Sequence, residues 1–323
     1  MCTAITFQRK HHYFGRNLDL EYHYRESVTI TPRRYTLPFR SMESLSSHYA
    51  MIGMATIDDG YPLYYDATNE CGLSMAGLNF PGNAVYLSED RGATNLAPFE
   101  LIPYILSTCE DVDQAEMCLG KVSLVNIPFS QQYPVTPLHW LVADSNRSIT
   151  VEPLSDGLKI YQNPIGVLTN NPPFDYHMHN LVNYLNLTRE EISSRFAPEY
   201  TLEPYSRGMG AIGLPGDLSS ASRFVRAAFT KLNAVCPNTD AACVSQFFHI
   251  LGSVEQQSGC VKVGDRFEKT VYASCCNTDT GVYYYRTYEN SQITGVSMGH
   301  EDLDGKQIIS FPLITEQQIC MEN

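Results

Sequence analysis

The sequence predicts an antiparallel α+β protein in which two stacked β-sheets lie between layers of helices. Three observations support this fold class. Short apolar or alternating runs of strand length recur along the chain, tyrosine is abundant (21 of 323 residues), and the strand runs form hairpin-like groups separated by pairs of helices. This order differs from the strict βαβ alternation of a doubly wound parallel sheet. We expect one domain over residues 1–323.

The predicted strands are spread over most of the chain. Alternating or continuous apolar runs of this length are typical of half-buried or fully buried strands. The runs are Thr3–Phe7, Tyr13–Arg16, Val28–Thr31, Met51–Thr56, Leu63–Ala67, Leu73–Leu78, Leu138–Ala143, Ile149–Val151, Gly157–Tyr161, Val167–Thr169, Thr270–Ser274, Val282–Thr287 and Ile293–Ser297.

Five stretches between the strands indicate helices, two of them preceded by capping residues, Asp111 and a Ser-Ser pair. The predicted helices are Pro98–Leu106, Val112–Leu119, Phe174–Tyr184, Ser220–Leu232 and Ala242–Leu251. The segment Asn186–Gly216 is rich in proline and glycine and predicts a long surface excursion. Loops of that length are usually functional or contact another subunit.

Composition excludes several classes of function. The net charge is −13, from 22 basic and 35 acidic residues, and no cluster of Lys and Arg is present to bind nucleic acid. No stretch approaches the ~18 apolar residues of a membrane-spanning helix. The basic residues follow the first apolar run, the reverse of a secretory signal, so we expect a cytoplasmic protein with its ten cysteines reduced.

The sequence also carries no clear metal or nucleotide motif. No C-x-x-C pair and no glycine-rich phosphate loop is present. His177 and His179 are two residues apart and do not share a helical face. We expect neither a metal nor a cofactor.

Cys2 is the first candidate for chemistry. Removal of Met1, which a small second residue favours, would give Cys2 a free α-amine beside its thiol. An α-amine has a reference pKa of about 7.7–8.0 and can act as a general base at neutral pH. This arrangement is the N-terminal variant of a base-activated nucleophile. A small residue at position 2 is also common in proteins that do not use it in catalysis. Cys2 alone therefore does not decide between a nucleophile and a residue without a catalytic role.

A predicted hairpin would bring two charged residues to Cys2. The strand Thr3–Phe7, a polar turn and the returning segment Tyr13-Phe-Gly-Arg-Asn-Leu-Asp19 place Arg16 and Asp19 back beside the chain start. A permanent cation favours the thiolate, and a carboxylate can hold the α-amine. An ordinary exposed strand pair with charged ends is the alternative.

Polar residues also follow other predicted strands and begin one helix. Asn79, Asn170 and Asn171 lie at strand ends, where a side-chain amide can donate to a developing oxyanion, although asparagine beside glycine or proline is more often a turn residue. Arg223 lies near the start of a predicted helix with otherwise apolar faces, where arginine is usually a surface residue.

The motifs together resemble the choloylglycine hydrolases, a family that includes bile salt hydrolases and penicillin V acylases. The resemblance covers essentially the whole chain, in the expected order. It rests on Met-Cys-Thr-Ala-Ile-Thr at the start, Tyr13-Phe-Gly-Arg-Asn-Leu-Asp-Leu20, Gly77-Leu-Asn-Phe80, Leu168-Thr-Asn-Asn-Pro172, Gly213-Leu-Pro-Gly-Asp217, Ser222-Arg-Phe-Val-Arg226 and Tyr284-Tyr-Arg-Thr-Tyr288.

The resemblance implies a fold and a set of roles. The fold is the N-terminal-nucleophile αββα sandwich, and no cofactor is required. Cys2 matches the nucleophile and its freed amine the base. The other matches are Arg16 and Asp19 beside the thiol, Asn79 and Asn170 at the oxyanion site, and Arg223 as the second arginine. Asn170 is preferred to Asn171 because it directly follows the strand-terminal threonine.

The resemblance also implies a substrate class. Asn79 is typical of the bile salt hydrolases, whereas penicillin V acylases more often have tyrosine there, and Leu20, Tyr24 and Tyr65 match pocket walls. The expected substrates are therefore glycine- and taurine-conjugated bile salts, and Asn186–Gly216 matches the segment through which relatives form homotetramers. A penicillin V or other N-acyl amide acylase, and a non-catalytic bile-salt-binding protein, are the alternatives.

Overall fold

A computed structural model describes residues 1–323 and contains seventeen strands and five α-helices. The strands are β1 (Cys2–Gln8), β2 (His12–Leu20), β3 (Ser27–Thr31), β4 (Met51–Asp58), β5 (Tyr61–Asn69), β6 (Ser74–Asn79), β7 (Thr94–Leu96), β8 (Val122–Leu124), β9 (Leu138–Ala143), β10 (Ser148–Leu154), β11 (Gly157–Gln162), β12 (Val167–Leu168), β13 (Val261–Val263), β14 (Arg266–Asn277), β15 (Val282–Thr287), β16 (Thr294–Ser297) and β17 (Ile309–Pro312). The helices are α1 (Leu101–Thr108), α2 (Val112–Leu119), α3 (Phe174–Asn180), α4 (Ser220–Asn233) and α5 (Asp240–Gly252).

Two antiparallel sheets form the centre of the molecule. The first has the strand order β12-β1-β2-β14-β15-β16, with β13 paired to β14. The second has the order β11-β10-β9-β6-β5-β4-β3-β17, and the short strands β7 and β8 form a separate parallel pair. The predicted α+β fold with two stacked sheets is confirmed.

Two apolar clusters hold these layers together. The larger contains 37 buried residues, including side chains of both sheets and the inner faces of α4 and α5. The smaller contains 23 buried residues and joins the outer face of the second sheet to α1 and α2. The order of layers is therefore helix, sheet, sheet, helix. No helix is both long enough and apolar enough to cross a membrane.

The predicted elements are all present, with differences at their ends. The helix predicted over Phe174–Tyr184 is α-helical to Asn180 and continues as a 3₁₀ turn over Leu181–Tyr184. Strands β7, β8, β13 and β17 were not predicted, because runs of three or four residues give almost no periodic signal. As expected, Asp111 caps α2: its side chain accepts a hydrogen bond from the Gln114 N–H at 2.8 Å.

The close approach of β2 to β14 depends on one glycine. A Cβ atom at Gly15 would lie 2.1 Å from the backbone oxygen of Ser274. This distance is much shorter than a van der Waals contact between non-bonded carbon and oxygen atoms. Any larger residue at position 15 would therefore push the two strands apart. This pairing matters for the site because β2 also carries Arg16 and Asp19.

We predict that Gly15→Ala destabilises the protein by about 2–3 kcal/mol, since the added methyl group overpacks a fully buried strand pair. Urea denaturation measures the change. Gly299→Ala is the matched control, because the nearest atom to its Cβ position is Ser297 Oγ at 4.0 Å, and it should change stability by less than about 0.5 kcal/mol. Equal stability of the two variants would contradict the prediction.

Candidate active site

Strand register places the Cys2 thiol and the Arg16 guanidinium on one face of the first sheet. Cys2 is opposite Leu18 and Ala4 is opposite Arg16 in the β1–β2 pair. Opposed residues share a face and neighbours along a strand alternate, so the thiol and the guanidinium both face the second sheet. Asp19 lies on the other face, toward the helices. Cys2 is 2% exposed.

Arg16 is fully buried and partly bound to the second sheet. Its Nη1 donates to the backbone oxygens of Tyr65, at 3.1 Å, and Gly77, and its Nη2 has no partner within the protein. Burial alone would lower the pKa of Arg16, but the nearby Cys2 and Asp66 are among the groups that raise it above its ordinary value. The residue is therefore a fixed cation near the thiol, and its Nη2 amino group makes no hydrogen bond.

The start of the chain is held by two buried acidic residues. The Met1 ammonium donates to the backbone oxygen of Asp19 at 2.6 Å and forms an ion pair with Glu268. The Asp19 Oδ1 atom accepts from Thr270 at 2.6 Å, while its Oδ2 atom has no partner. Burial raises the pKa of both carboxyl groups, although Arg223 and the ammonium oppose this shift.

Asn170 is in direct contact with the candidate nucleophile. Its Oδ1 atom accepts from the Cys2 N–H at 2.7 Å and from Arg223 at 2.8 Å. Its amide nitrogen donates to the Asn79 backbone oxygen at 2.7 Å, which uses one of two N–H groups and leaves the other available. Asn171 instead donates to the Pro81 backbone oxygen at 2.6 Å. Of the two neighbouring asparagines, only Asn170 contacts Cys2.

Arg223 lies behind Cys2, fully buried in the first turn of α4. Its guanidinium donates to the Cys2 backbone oxygen, to Thr3 Oγ1 at 2.7 Å and to Leu218 O at 3.0 Å, in addition to Asn170. Burial lowers its pKa, and the nearby Asp19 is the largest opposing influence. Arg223 is therefore not a surface residue, as a helical arginine usually is. Its guanidinium group links α4 to β1 through hydrogen bonds.

A cavity of about 440 Å³ lies beside the thiol, and Cys2, Arg16 and Asn79 are among its lining residues. Sixteen of its 24 lining residues are hydrophobic, which gives it apolar and aromatic walls. The three predicted wall residues, Leu20, Tyr24 and Tyr65, all line it, together with Leu18, Tyr64, Phe99, Ile102, Phe129, Tyr133, Val135, Leu138 and Trp140. A larger cleft of about 550 Å³ elsewhere has only two hydrophobic lining residues and none of the predicted site residues.

The arrangement suits acyl transfer. It combines a buried thiol, a fixed cation, amide donors at the end of a strand and an apolar cavity of ordinary ligand size. No group of three or more His, Cys, Asp or Glu side chains is placed to hold a metal ion. The individual catalytic roles of the six predicted residues stay predictions; these residues are Cys2, Arg16, Asp19, Asn79, Asn170 and Arg223.

Sequence reasoning missed several residues around the site. Glu268 lies just outside the predicted strand Thr270–Ser274, and the aromatic residues Phe129 and Tyr133 lie in a loop without periodicity. The buried pair His139 and Glu152 was also missed. Polar residues inside otherwise apolar strands were the available signal for this pair.

Comparisons with known proteins agree with this geometry. A family model described as linear amide C–N hydrolases, choloylglycine hydrolase family, matches residues 2–311. A protein of Lactiplantibacillus plantarum named bile salt hydrolase/transferase is 57% identical over the full length of both chains. A protein of the same name from Clostridium perfringens is 38% identical, with 96% of each chain covered.

Solved structures extend the comparison to the fold. A mutant conjugated bile acid hydrolase from Clostridium perfringens superposes with a TM-score of 0.93, 36% identity and full coverage of both chains. A penicillin V acylase from Agrobacterium tumefaciens has a TM-score of 0.73 at 17% identity, over 96% of this chain and 90% of that one. The second likeness shows a shared fold only.

We predict that Asp19→Asn weakens the dependence of stability on pH. The raised pKa means that the folded protein binds more protons than the unfolded chain between the ordinary value of 3.8 and the folded value. The contribution of Asp19 to the free energy of unfolding must therefore fall as pH rises through that window, and asparagine, which does not titrate, removes this contribution. Urea denaturation at a series of pH values measures the slope.

The control is Asp265→Asn, which removes an exposed carboxyl group. The Asp19 variant should show a shallower decline than either the control or the unchanged protein. Parallel curves for all three proteins would contradict the prediction.

Proposed function

Because the chain belongs to the choloylglycine hydrolase family, we propose that it hydrolyses the amide bond of glycine- and taurine-conjugated bile salts. The observation that carries this proposal is that Cys2, Arg16 and Asn79 together line one mainly apolar cavity of about 440 Å³. The names of the relatives, at up to 57% identity over the whole chain, support the same substrate class.

The first step requires a free amino terminus on Cys2. Removal of Met1 converts the Cys2 peptide nitrogen into an α-amine, which takes the thiol proton. The sulfur then attacks the amide carbonyl carbon, forming a C–S bond as the carbonyl oxygen becomes an oxyanion. Arg16, with its Nη2 group unpartnered, stabilises the thiolate before attack.

Amide groups stabilise the tetrahedral intermediate. Asn170 follows the end of β12 and contacts Cys2, and its side chain has a second N–H that is not used. Asn79 is the last residue of β6, and its backbone oxygen is bonded to Asn170. Donors fixed before the reaction stabilise a developing oxyanion without reorganisation, and one such donor is typically worth about 10²–10³ in kcat. Arg223 holds the Asn170 amide in place through its Oδ1 atom.

The intermediate then collapses to a thioester. The C–N bond breaks, and the departing glycine or taurine nitrogen takes the proton that the α-amine had accepted. The same amine next deprotonates a water molecule, which attacks the thioester carbonyl and releases the free bile acid and the thiol. Because the acyl group rests on sulfur, another amine in place of water would give amino-acid exchange.

The cavity provides the features needed to bind the rest of the substrate. Aromatic and aliphatic walls, among them Leu20, Tyr24 and Tyr65, suit a rigid apolar steroid. The buried Arg16 guanidinium, at the lining of the cavity, supplies a positive charge that attracts the anionic amino-acid end. The Tyr65 hydroxyl is already bonded to Thr56 at 2.9 Å, which fixes that wall.

We propose further that the protein works in the cytoplasm as a homotetramer assembled through Asn186–Gly216. All ten cysteines are free thiols, the state expected in a reducing compartment. The segment exposes large apolar side chains, including Phe196 at 77% and Tyr205 at 85%. A second copy of this chain would remove that surface from water.

We predict that the protein releases glycine from glycocholate and taurine from taurocholate, and that Cys2→Ala releases neither above about 1% of the normal rate, because the cavity lining contains no other cysteine and no serine. Amine release measures both reactions. Cys71→Ala, which removes an exposed thiol, is the matched control and should keep full activity.

Intact-mass analysis of each protein checks that Met1 is absent, since an attached Met1 blocks the base. Penicillin V is the competing substrate. If the protein hydrolyses penicillin V but neither bile salt, it is a penicillin V acylase and not a bile salt hydrolase. Undiminished release by the alanine variant at position 2 would overturn the mechanism.

We also predict that the double variant Phe196→Glu with Tyr205→Glu lowers the molar mass in solution from four chains toward one or two, because charges cannot be buried unpaired at an interface. Light scattering after size-exclusion chromatography measures the mass. Val235→Glu, at a 75% exposed apolar residue outside the segment, is the control. A monomeric unchanged protein, or an unaltered mass in the double variant, would contradict the assembly proposal.

A further inference from the structure

Two buried titratable side chains lie directly behind the site and have no part in the proposed chemistry. His139 in β9 and Glu152 in β10 are both 0% exposed, and His139 Nδ1 lies 2.9 Å from Glu152 Oε1. Neither residue lines the cavity or contacts Cys2. A charged or proton-sharing pair buried this completely needs specific partners to offset the loss of water.

The partners of His139 join the two segments that carry the asparagines. Its Nε2 atom lies 2.9 Å from the Thr169 backbone oxygen, and its ring stacks on Phe80 with centroids 4.1 Å apart and planes at 6°. Thr169 and Phe80 are the chain neighbours of Asn170 and Asn79. One imidazole therefore spans both sides of the predicted oxyanion site.

The proton arrangement on His139 follows from these contacts. A carbonyl oxygen only accepts, so Nε2 must carry a hydrogen to bond Thr169. The other ring nitrogen shares one proton with Glu152, which also accepts from the Phe174 N–H at 3.1 Å. The pair is neutral overall wherever the shared proton lies, and Nε2 remains a donor in both cases. Glu152 thus fixes the orientation of the ring.

The Asn170 backbone depends on such side-chain contacts because the sheet does not reach it. Strand β12 ends at Leu168, so the next two carbonyls receive no ladder hydrogen bond. His177 Nε2 lies 3.0 Å from the Asn170 backbone oxygen, and the Asn170 N–H donates to Ser220 Oγ at 2.8 Å. Burial lowers the pKa of His177 to about 4, so it is a neutral donor at pH 7.

We infer that His139 and Glu152 are positioning residues that set the distance between Asn79 and Asn170 and thereby the geometry of the oxyanion site. This role rests on the proposed function, since it matters only if an oxyanion forms beside Cys2. A displacement of about 1 Å in such a site can cost up to about 10²-fold in rate. The pair should therefore affect kcat far more than substrate binding.

The test compares His139→Phe with His12→Phe in glycocholate hydrolysis. The first variant keeps an aromatic ring against Phe80 but loses the bond to Thr169. The control removes another buried histidine, at the far end of β2, whose Nδ1 lies 3.0 Å from Thr278 Oγ1. We expect kcat to fall roughly 10- to 100-fold in His139→Phe with KM changed less than about threefold, and little change in the control.

Two substitutions at Glu152 separate orientation from folding. Glu152→Gln can donate its amide N–H to Nδ1 and accept from Phe174, so kcat should stay within about threefold of normal. Glu152→Met leaves the imidazole without its partner and should lower kcat as His139→Phe does. If the His139→Phe variant does not fold, the difference in kcat between Glu152→Gln and Glu152→Met tests the positioning role.

The outcomes are distinguishable from failure of the proposed function. An unchanged protein that releases no amine from either conjugate overturns the function, and this inference falls with it. An active unchanged protein with equal kcat in His139→Phe and His12→Phe, or in the Glu152 Gln and Met variants, overturns the inference alone. A KM increase with unchanged kcat also overturns it.

Discussion

The antiparallel register of β1 against β2 is the constraint on which the site depends. It sets Cys2 opposite Leu18, so that the thiol and Arg16 share the face that looks into the cavity, while Asp19 lies on the helix side near the chain start. A slip of one residue would exchange the two faces. The close contact of Gly15 with β14 and the apolar core on both sides hold the register in place.

Fully buried charges then determine the electrostatics of this fixed geometry. Arg16, Arg223 and Asp19 have each lost their contact with water. The two guanidinium groups donate to backbone oxygens, and the Asp19 carboxyl group accepts from the Thr270 hydroxyl and lies near Arg223. Removing one of these charged groups leaves its hydrogen-bond partners buried and unsatisfied, which is unfavourable in a site without water. The site is therefore stable only as a set. The site lies beside an apolar cavity, where the local dielectric constant is low. Electrostatic interactions of these charged groups are therefore stronger than they would be in water.

The sequence could predict what is local or carried by motifs. The β1–β2 hairpin, Cys2, Arg16 and Asp19 follow from one short segment, and the fold class follows from the spacing of strands. The buried state of Arg223 is not deducible from its helix alone, because it depends on contacts with β1. The cavity loop around Phe129 was missed because only the assembled sheets bring it to the site. The His139–Glu152 pair lies on the consecutive strands β9 and β10 and was missed because each polar residue lies in, or directly after, a predicted apolar strand.

Detection of the acyl-enzyme tests the central claim most directly. The protein is mixed with glycocholate, quenched in acid within its first turnovers, and its N-terminal peptide is analysed by mass spectrometry. The account predicts a peptide that begins at Cys2, carries one cholyl group on sulfur, and loses it on treatment with hydroxylamine. Glycine release without any adduct on Cys2, or an adduct on a peptide that still begins with Met1, would contradict it.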